Sequence, residues 1–241
     1  MNLVIDIGNT RTKLALFHEQ SFLRSIPVTE LTPEPLKMLM AEYPELDKAI
    51  LSSVKDYPPE LKIFLHEKFR QFIDLSHETL VPVENHYLTP HTLGLDRLAA
   101  VAGASSLFPG CNILVIDAGT AITYDIITKN NEYLGGNISP GLETRFKALH
   151  HFTGRLPLIS RKDNFIDIGR DTESAIRAGV QSGMIFEIDQ TISHFSTKYE
   201  NLKVIMTGGD AEFFEKKLKN PIFVQLYLSL IGLNRILIFN E

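Results

Sequence analysis

Two stretches of this sequence carry the same chemical arrangement, LVIDIGNTRTK at Leu3–Lys13 and LVIDAGTAIT at Leu114–Thr123. With an offset of 111 residues, Leu3, Val4, Ile5, Asp6, Gly8 and Thr12 match Leu114, Val115, Ile116, Asp117, Gly119 and Thr123. In each, an apolar run ends in Asp and passes through a turn rich in Gly, Thr and Asn into a second apolar run. Such a turn offers backbone N–H groups and hydroxyls to phosphate oxygens, and Gly lets the backbone come close. An Asp at the strand end can hold a cation that neutralises those phosphates. Each copy alone reads equally as a common hairpin. The pair reads as two hairpins, one per lobe, facing each other across a cleft and gripping one nucleotide polyphosphate. Neither copy has Walker A or Rossmann glycine spacing.

The elements that must position these turns follow from the pattern. Asn2–Ile7 and Lys13–Phe17 predict a β-hairpin with a polar tip. Residues 29–48 read as a helix broken by Pro33, Pro35 and Pro44, Ala49–Val54 as a short strand, and 58–73 as an amphipathic helix. Thr79–Pro90 reads as loop, and a helix starts near Leu93 and ends at Pro109-Gly110. Strands are predicted at Ile113–Asp117, Ile122–Ile127 and Tyr133–Ile138, and a helix from Pro140-Gly141 to about His151. Asp171-Thr172 can cap a long helix with apolar residues at Ile176, Val180, Met184, Ile188, Ile192 and Phe195. Val204–Met206 is a strand running into Thr207-Gly208-Gly209. The boundary is expected around Phe108–Asn112, giving an N-terminal lobe over 1–110 and a C-terminal lobe over 111–241.

Composition narrows the class. The 241 residues are 44% hydrophobic, enough to bury a core, and suit two lobes better than two independent domains. A net charge of -5 with no Lys/Arg run argues against nucleic acid as the main partner. The single cysteine, Cys111, excludes an intrachain disulfide and a Cys-based zinc cluster and suits the cytoplasm; it is expected to be a small core residue. No apolar stretch is long enough for a membrane span, and Asp6, Arg11 and Lys13 interrupt the first apolar run, so no signal peptide is expected. His150-His151 has no metal-ligand spacing with other residues, and His91 receives no role. Asp96, at a predicted helix start, is open to two readings: a first-turn Asp on the helix dipole, or a carboxylate that accepts a proton.

The paired hairpins resemble the actin/hexokinase/Hsp70-type ATPase superfamily, and further motifs resemble the type III pantothenate kinases. These are D-x-G-N-T-x-x-K at Asp6–Lys13, G-x-D-R at Gly94–Arg97, D-x-G-T-A-x-T at Asp117–Thr123, G-G-x-I-x-P-G at Gly135–Gly141, and the T-G-G turn near the adenosine at Thr207–Gly209. They occur in the family's order over nearly the whole chain. One stretch departs: Tyr87-Leu88-Thr89-Pro90-His91-Thr92-Leu93-Gly94 has Thr for the family's Asn and Leu for its Val. The resemblance implies an α/β, two-lobed actin-like (ribonuclease H-like) fold with a duplicated mixed sheet plus helices. It implies a cytoplasmic homodimeric transferase that uses ATP with magnesium, assisted by potassium or ammonium, to phosphorylate pantothenate at the start of coenzyme A biosynthesis. It places the catalytic base on Asp96. ATP contacts fall on Asp6, Ile7, Gly8, Asn9, Thr10, Arg11, Thr12, Lys13 and Thr120. Pantothenate contacts fall on Tyr87, Gly94, Leu95, Asp96, Arg97 and Thr172, with Thr172 reaching in from the second subunit. Asp6 is implied for magnesium, directly or through water, and Asp117 for the monovalent cation. The alternative is a nucleotide-binding accessory module of transcription without catalysis, which the joint presence of Asp6, Asp96 and Asp117 disfavours.

Overall fold

The structure, a computed structural model, describes residues 1–8, 12–28, 31–164 and 167–241. In chain order the elements are β1 (Asn2–Ile7), β2 (Thr12–His18), β3 (Ser21–Val28), α1 (Pro33–Glu42), β4 (Lys48–Ser53), α2 (Pro59–Lys68), β5 (Gln71–Asp74) and β6 (Glu84–Asn85). They continue with a 3-10 turn (Pro90–Thr92), α3 (Leu95–Leu107), β7 (Ile113–Ala118), β8 (Ala121–Ile127), β9 (Glu132–Pro140), α4 (Leu142–Phe152) and α5 (Thr172–Lys198). The last are β10 (Lys203–Thr207), α6 (Ala211–Glu215), β11 (Phe223–Val224) and α7 (Leu228–Phe239). The chain divides into two compact units, Met1–Leu107 with Tyr227–Glu241, and Phe108–Leu226. The sequence assigned 111–241 as a block to the second lobe; in the structure its last segment lies in the first unit. None of the described helices is long and apolar enough to cross a membrane.

The first unit is built on a five-stranded sheet in the order β3-β2-β1-β4-β5. β1 pairs antiparallel with β2 and parallel with β4. A central strand is covered on both faces, which is why it reads as an unbroken apolar run: Leu3, Val4 and Ile5 are fully buried. Alternate residues go to opposite faces. Leu3 and Ile5 meet Leu36, Leu39, Leu61 and Leu65 of α1 and α2. Val4, Ala15, Phe17 and Ile50 meet Ala99 and Ala102 of α3 and Leu230, Leu233, Ile236 and Leu237 of α7. The two helices approach closely at a pair of glycines: a Cβ on Gly103 would overlap the Leu228 carbonyl, and one on Gly232 the Ala99 carbonyl. Asn234 ties α7 to the hairpin by accepting from Asn2 Nδ2 (2.9 Å) and donating to the Glu19 carbonyl (2.8 Å).

Two sequence expectations change here. Pro33 and Pro35 do not break α1, because they occupy its first turn, where backbone N–H groups have no helical partner. The helix expected over 58–73 stops at Lys68, and Gln71–Asp74 instead extends the sheet beside β4.

The second unit repeats the plan with β9-β8-β7-β10-β11. β7 pairs antiparallel with β8 and parallel with β10, as β1 does with β2 and β4. The correspondence extends to register: Asp6 lies opposite Ser52, and Asp117 opposite Thr207. Leu114, Ile116, Ile122 and Tyr124 form one core with Phe146 of α4, the Ile176–Ile192 stripe of α5 and Phe214 of α6. The apolar stripe is therefore core. Cys111, expected in that core, is partly exposed in the turn ahead of β7.

Candidate active site

In the first unit Asp6 closes β1, half-buried, and pairs in register with Lys13 on β2. Burial pushes its carboxyl above the ordinary carboxylate range; the Lys13 ammonium pulls it back, and the negative charge of Asp96 pushes it up again. The structure thus brings Lys13 and Asp96 each within electrostatic reach of Asp6. Ile7 is buried and Gly8 half-buried at the mouth of the turn, and Thr12 is buried at the start of β2. Asn9, Thr10 and Arg11 lie outside the described residues.

Asp96 is exposed in the first turn of α3, and its Oδ1 accepts from the Arg97 amide (2.8 Å). Arg97 is buried, with its guanidinium 5.6 Å from the centre of the Tyr87 ring. Gly94 and Leu95, half-buried, form the corner between loop and helix. The loop ahead of them is held by short-range bonds. Tyr87 N–H donates to Asn85 Oδ1 (3.0 Å), the Thr92 hydroxyl donates to the Thr89 carbonyl (2.9 Å), and the Thr89 and Thr92 hydroxyls are 2.7 Å apart. Thr89, which departs from the family pattern, therefore keeps a polar anchor in this loop. His77 contributes too, and sequence reasoning missed it. Its Nε2 lies 2.9 Å from the Leu93 carbonyl, which can only accept, so Nε2 carries the proton. A lone His in a polar turn gives no sequence signal for such a contact.

In the second unit Asp117 closes β7, and the tip folds over Gly119 N–H to Ala121 carbonyl (2.9 Å). The T-G-G turn packs directly on this tip. Gly208 has φ +95°, and a Cβ there would stand 2.5 Å from Asp117 Oδ1 and overlap the Ala118 carbonyl oxygen. The Asp210 amide donates to that same Ala118 carbonyl (3.0 Å). Thr120 is exposed at the tip, and its carbonyl accepts from Gly141 N–H (3.0 Å) and the Thr144 hydroxyl (2.6 Å). Here the G-G-x-I-x-P-G motif finds a physical reason, because Gly141 abuts the tip with no room for a side chain.

Beside the T-G-G turn opens a cavity of about 540 Å³, walled by Leu142, Phe146 and Ile159 with Arg161 and Asp210 at its polar side. Arg161 Nη1 is 3.4 Å from Asp210 Oδ1; burial raises the Asp210 carboxyl, and Arg161 partly offsets this. Glu143, Lys147 and Ser160 line it too, so the cavity joins an apolar wall to a charged rim, a form that suits a small polar ligand. Thr172 stands on another element, exposed as the first residue of α5. The cap is Asp171, whose carboxyl the Ser174 amide and hydroxyl hold below the usual range. His150 Nδ1 bonds the Leu156 carbonyl (2.8 Å), a structural contact.

Comparison with known proteins agrees with these features. The family model described as type III pantothenate kinase matches residues 2–194. A type III pantothenate kinase of Phocaeicola vulgatus is 48% identical over 241 residues, covering 100% of this chain and 99% of that protein. One of Christiangramia forsetii is 44% identical over 242 residues, covering 100% and 99%. Among solved structures, a Baf family transcriptional activator of Campylobacter jejuni superposes with a TM-score of 0.63 at 25% identity, covering 99% of this chain and 98% of its own. A glucokinase from an Antarctic psychrotroph superposes at 0.54 with 13% identity, covering 100% and 99%, and speaks for the fold alone. The fold is thus the two-lobed actin-like one of the sugar kinases. By its matched length and its full-length relatives, this chain belongs to the type III pantothenate kinase family.

Proposed function

We propose that the chain transfers the γ-phosphoryl group of ATP to the primary hydroxyl of pantothenate, giving 4'-phosphopantothenate and ADP, the first step of coenzyme A biosynthesis. The observation that carries this reading is that Lys13 and Asp96 both act on Asp6, with Arg97, next to Asp96 in the chain, buried against Tyr87. Asp96 accepts the hydroxyl proton as the oxygen bonds to the γ-phosphorus and the bond to the β-phosphate oxygen breaks. Arg97, beside Tyr87, pairs with the pantothenate carboxylate through its planar fork. Gly94 and Leu95 shape the acceptor pocket.

The residues present fit the cations that the family resemblance implies. Asp6 is half-buried within electrostatic reach of a second carboxylate, Asp96, which leaves negative charge that a divalent cation relieves. Asp6 would hold magnesium, directly or through water, and that ion supplies charge neutralisation to the phosphates when bound. Asp117 Oδ1, packed close to the Ala118 carbonyl at the T-G-G turn, offers hard oxygen donors that suit potassium or ammonium. Lys13, the Gly8–Thr12 turn and Thr120 bind the phosphates, and the cavity beside Asp210 takes the adenosine. A cytoplasmic homodimer in which Thr172 serves the partner's acceptor site completes the reading. The other reading, a nucleotide-binding accessory module of transcription without catalysis, is not favoured, because the full-length relatives are named as type III pantothenate kinases.

An ADP-release assay with ATP, magnesium and potassium, with and without pantothenate, separates the two. Pantothenate-dependent turnover that collapses in Asp96→Asn supports the kinase and the base. ATP binding without turnover overturns the kinase in favour of the module. Undiminished turnover in Asp96→Asn keeps the kinase and removes Asp96 from its role.

A further inference from the structure

At the exposed tip of the second hairpin one carbonyl ties the turn to the start of α4. The Thr120 oxygen has two lone pairs and uses both, one on the Gly141 amide (3.0 Å) and one on the Thr144 hydroxyl (2.6 Å). Gly141 also limits the tip sterically, since a Cβ on it would overlap the Gly119 oxygen and lie 2.6 Å from the Thr120 oxygen. Backbone contact therefore blocks the tip from moving toward α4, while the hydroxyl restrains the peptide plane from turning away. The helical turn that carries Thr144 is itself braced. Arg145 donates from Nε to the Pro140 carbonyl (2.7 Å), and from Nη2 to Ser139 Oγ (3.0 Å) and Glu187 Oε2 (2.5 Å). Glu187 Oε1 in turn accepts from the Tyr124 hydroxyl (3.0 Å). Thr144 thus reaches the tip from a fixed point, and it belongs to none of the sequence motifs.

We infer that Thr144 is a positioning residue for the phosphate-holding tip, its hydroxyl setting the orientation in which Thr120 meets the nucleotide. This rests on the reading that Thr120 contacts ATP. Thr144 is not a phosphate donor, because its hydroxyl proton is committed to the carbonyl. Nor does folding depend on this bond alone: Thr120 lies at an exposed tip, and its oxygen keeps the Gly141 amide when the hydroxyl is removed. The inference therefore separates nucleotide affinity from stability.

The test compares Thr144→Val, close in shape to Thr, with Thr144→Ser and Thr120→Ala in the full chain. The readouts are KM for ATP and for pantothenate, Kd for ADP with magnesium by calorimetry, and thermal midpoint. Losing one hydrogen bond predicts that Thr144→Val raises KM for ATP and Kd for ADP about threefold to tenfold. KM for pantothenate and the thermal midpoint should stay put, and Thr144→Ser should restore nucleotide binding. Wild-type nucleotide parameters in Thr144→Val overturn the inference, as does a Ser variant as impaired as the Val one. A joint rise of both KM values with a lowered midpoint also overturns it, by assigning Thr144 a merely structural role. If Thr120→Ala binds nucleotide like wild type, the ATP contact at Thr120 is wrong and the inference falls with it. If Thr120→Ala weakens binding and Thr144→Val does not, only the role of Thr144 falls.

Discussion

The two glycines of the T-G-G turn should respond very differently to the same added methyl group. Gly208 sits at φ +95°, where an L side chain is strained by about 1–2 kcal/mol. Its new Cβ would also overlap the Ala118 oxygen and stand 2.5 Å from Asp117 Oδ1. Relieving such overpacking costs about 1–3 kcal/mol. The lower entropy of the unfolded chain returns roughly 0.4–1 kcal/mol. The net loss for Gly208→Ala is then about 1–4.6 kcal/mol, and at roughly 2–4 °C per kcal/mol for a chain of this size the midpoint drops by about 2–18 °C. On the proposal that Asp117 holds the monovalent cation, the potassium concentration giving half-maximal activity should rise as well, since Asp117 takes part in the collision. Gly209 has open space around its Cβ position and no positive φ, so Gly209→Ala should change stability by no more than about 0.5 kcal/mol. Thermal melts monitored by circular dichroism, with potassium titrations of activity, read both quantities. Equal melting of the two variants, or a Gly208→Ala protein that melts like wild type, would refute the close packing of this turn on the hairpin.

Other perturbations test other parts of the site. Arg97→Lys keeps the charge but loses the planar fork, so KM for pantothenate should rise about tenfold or more while KM for ATP stays constant; equal KM values for pantothenate would remove the carboxylate pairing. Asp6 has a folded-state pKa raised above its unfolded value near 3.8, so its contribution to stability is present below that value and is lost as pH rises through the folded pKa. Asp6→Asn should therefore melt above wild type at pH 7, with the gain shrinking in acid, while activity falls; a lower midpoint at pH 7 contradicts the burial argument. Asp171→Ala removes the capping box of α5 and should cost about 0.5–2 kcal/mol, checked by urea unfolding.

What the sequence revealed was mostly local. The hairpins β1–β2 and β7–β8 were legible because strand, turn and strand are contiguous and each strand is mostly apolar. The α5 cap was legible from Asp171-Thr172 and its stripe. β3 gave no signal, since as an edge strand it keeps half its residues in solvent and contains Pro27. β5 was absorbed into the preceding helix, because only pairing with β4 distinguishes Gln71–Asp74 from one more helical turn. The motifs named Asp6, Asp96, Arg97 and Gly141 but gave no geometry. Contacts from Thr144 to Thr120 and from His77 to Leu93 join residues 24 and 16 positions apart, and one sequence carries no sign of them.

The placement of α7 has a consequence for how the protein is made. The second unit, Phe108–Leu226, is continuous in the chain and can close as soon as it has left the ribosome. The first unit begins earlier but finishes later, because one face of its sheet waits for Leu230, Leu233, Ile236 and Leu237, which follow the whole second unit in the chain. At about 5–20 residues per second, the interval from Leu107 to α7 leaves Val4, Ala15, Phe17 and Ile50 incompletely covered for roughly 6–25 seconds. Vectorial synthesis should therefore complete the later half first, and protease pulses on ribosome-bound chains should find Phe108–Leu226 resistant while Met1–Leu107 is still cut. The N-terminal segment is then the one that most needs a chaperone, although it is the first to emerge.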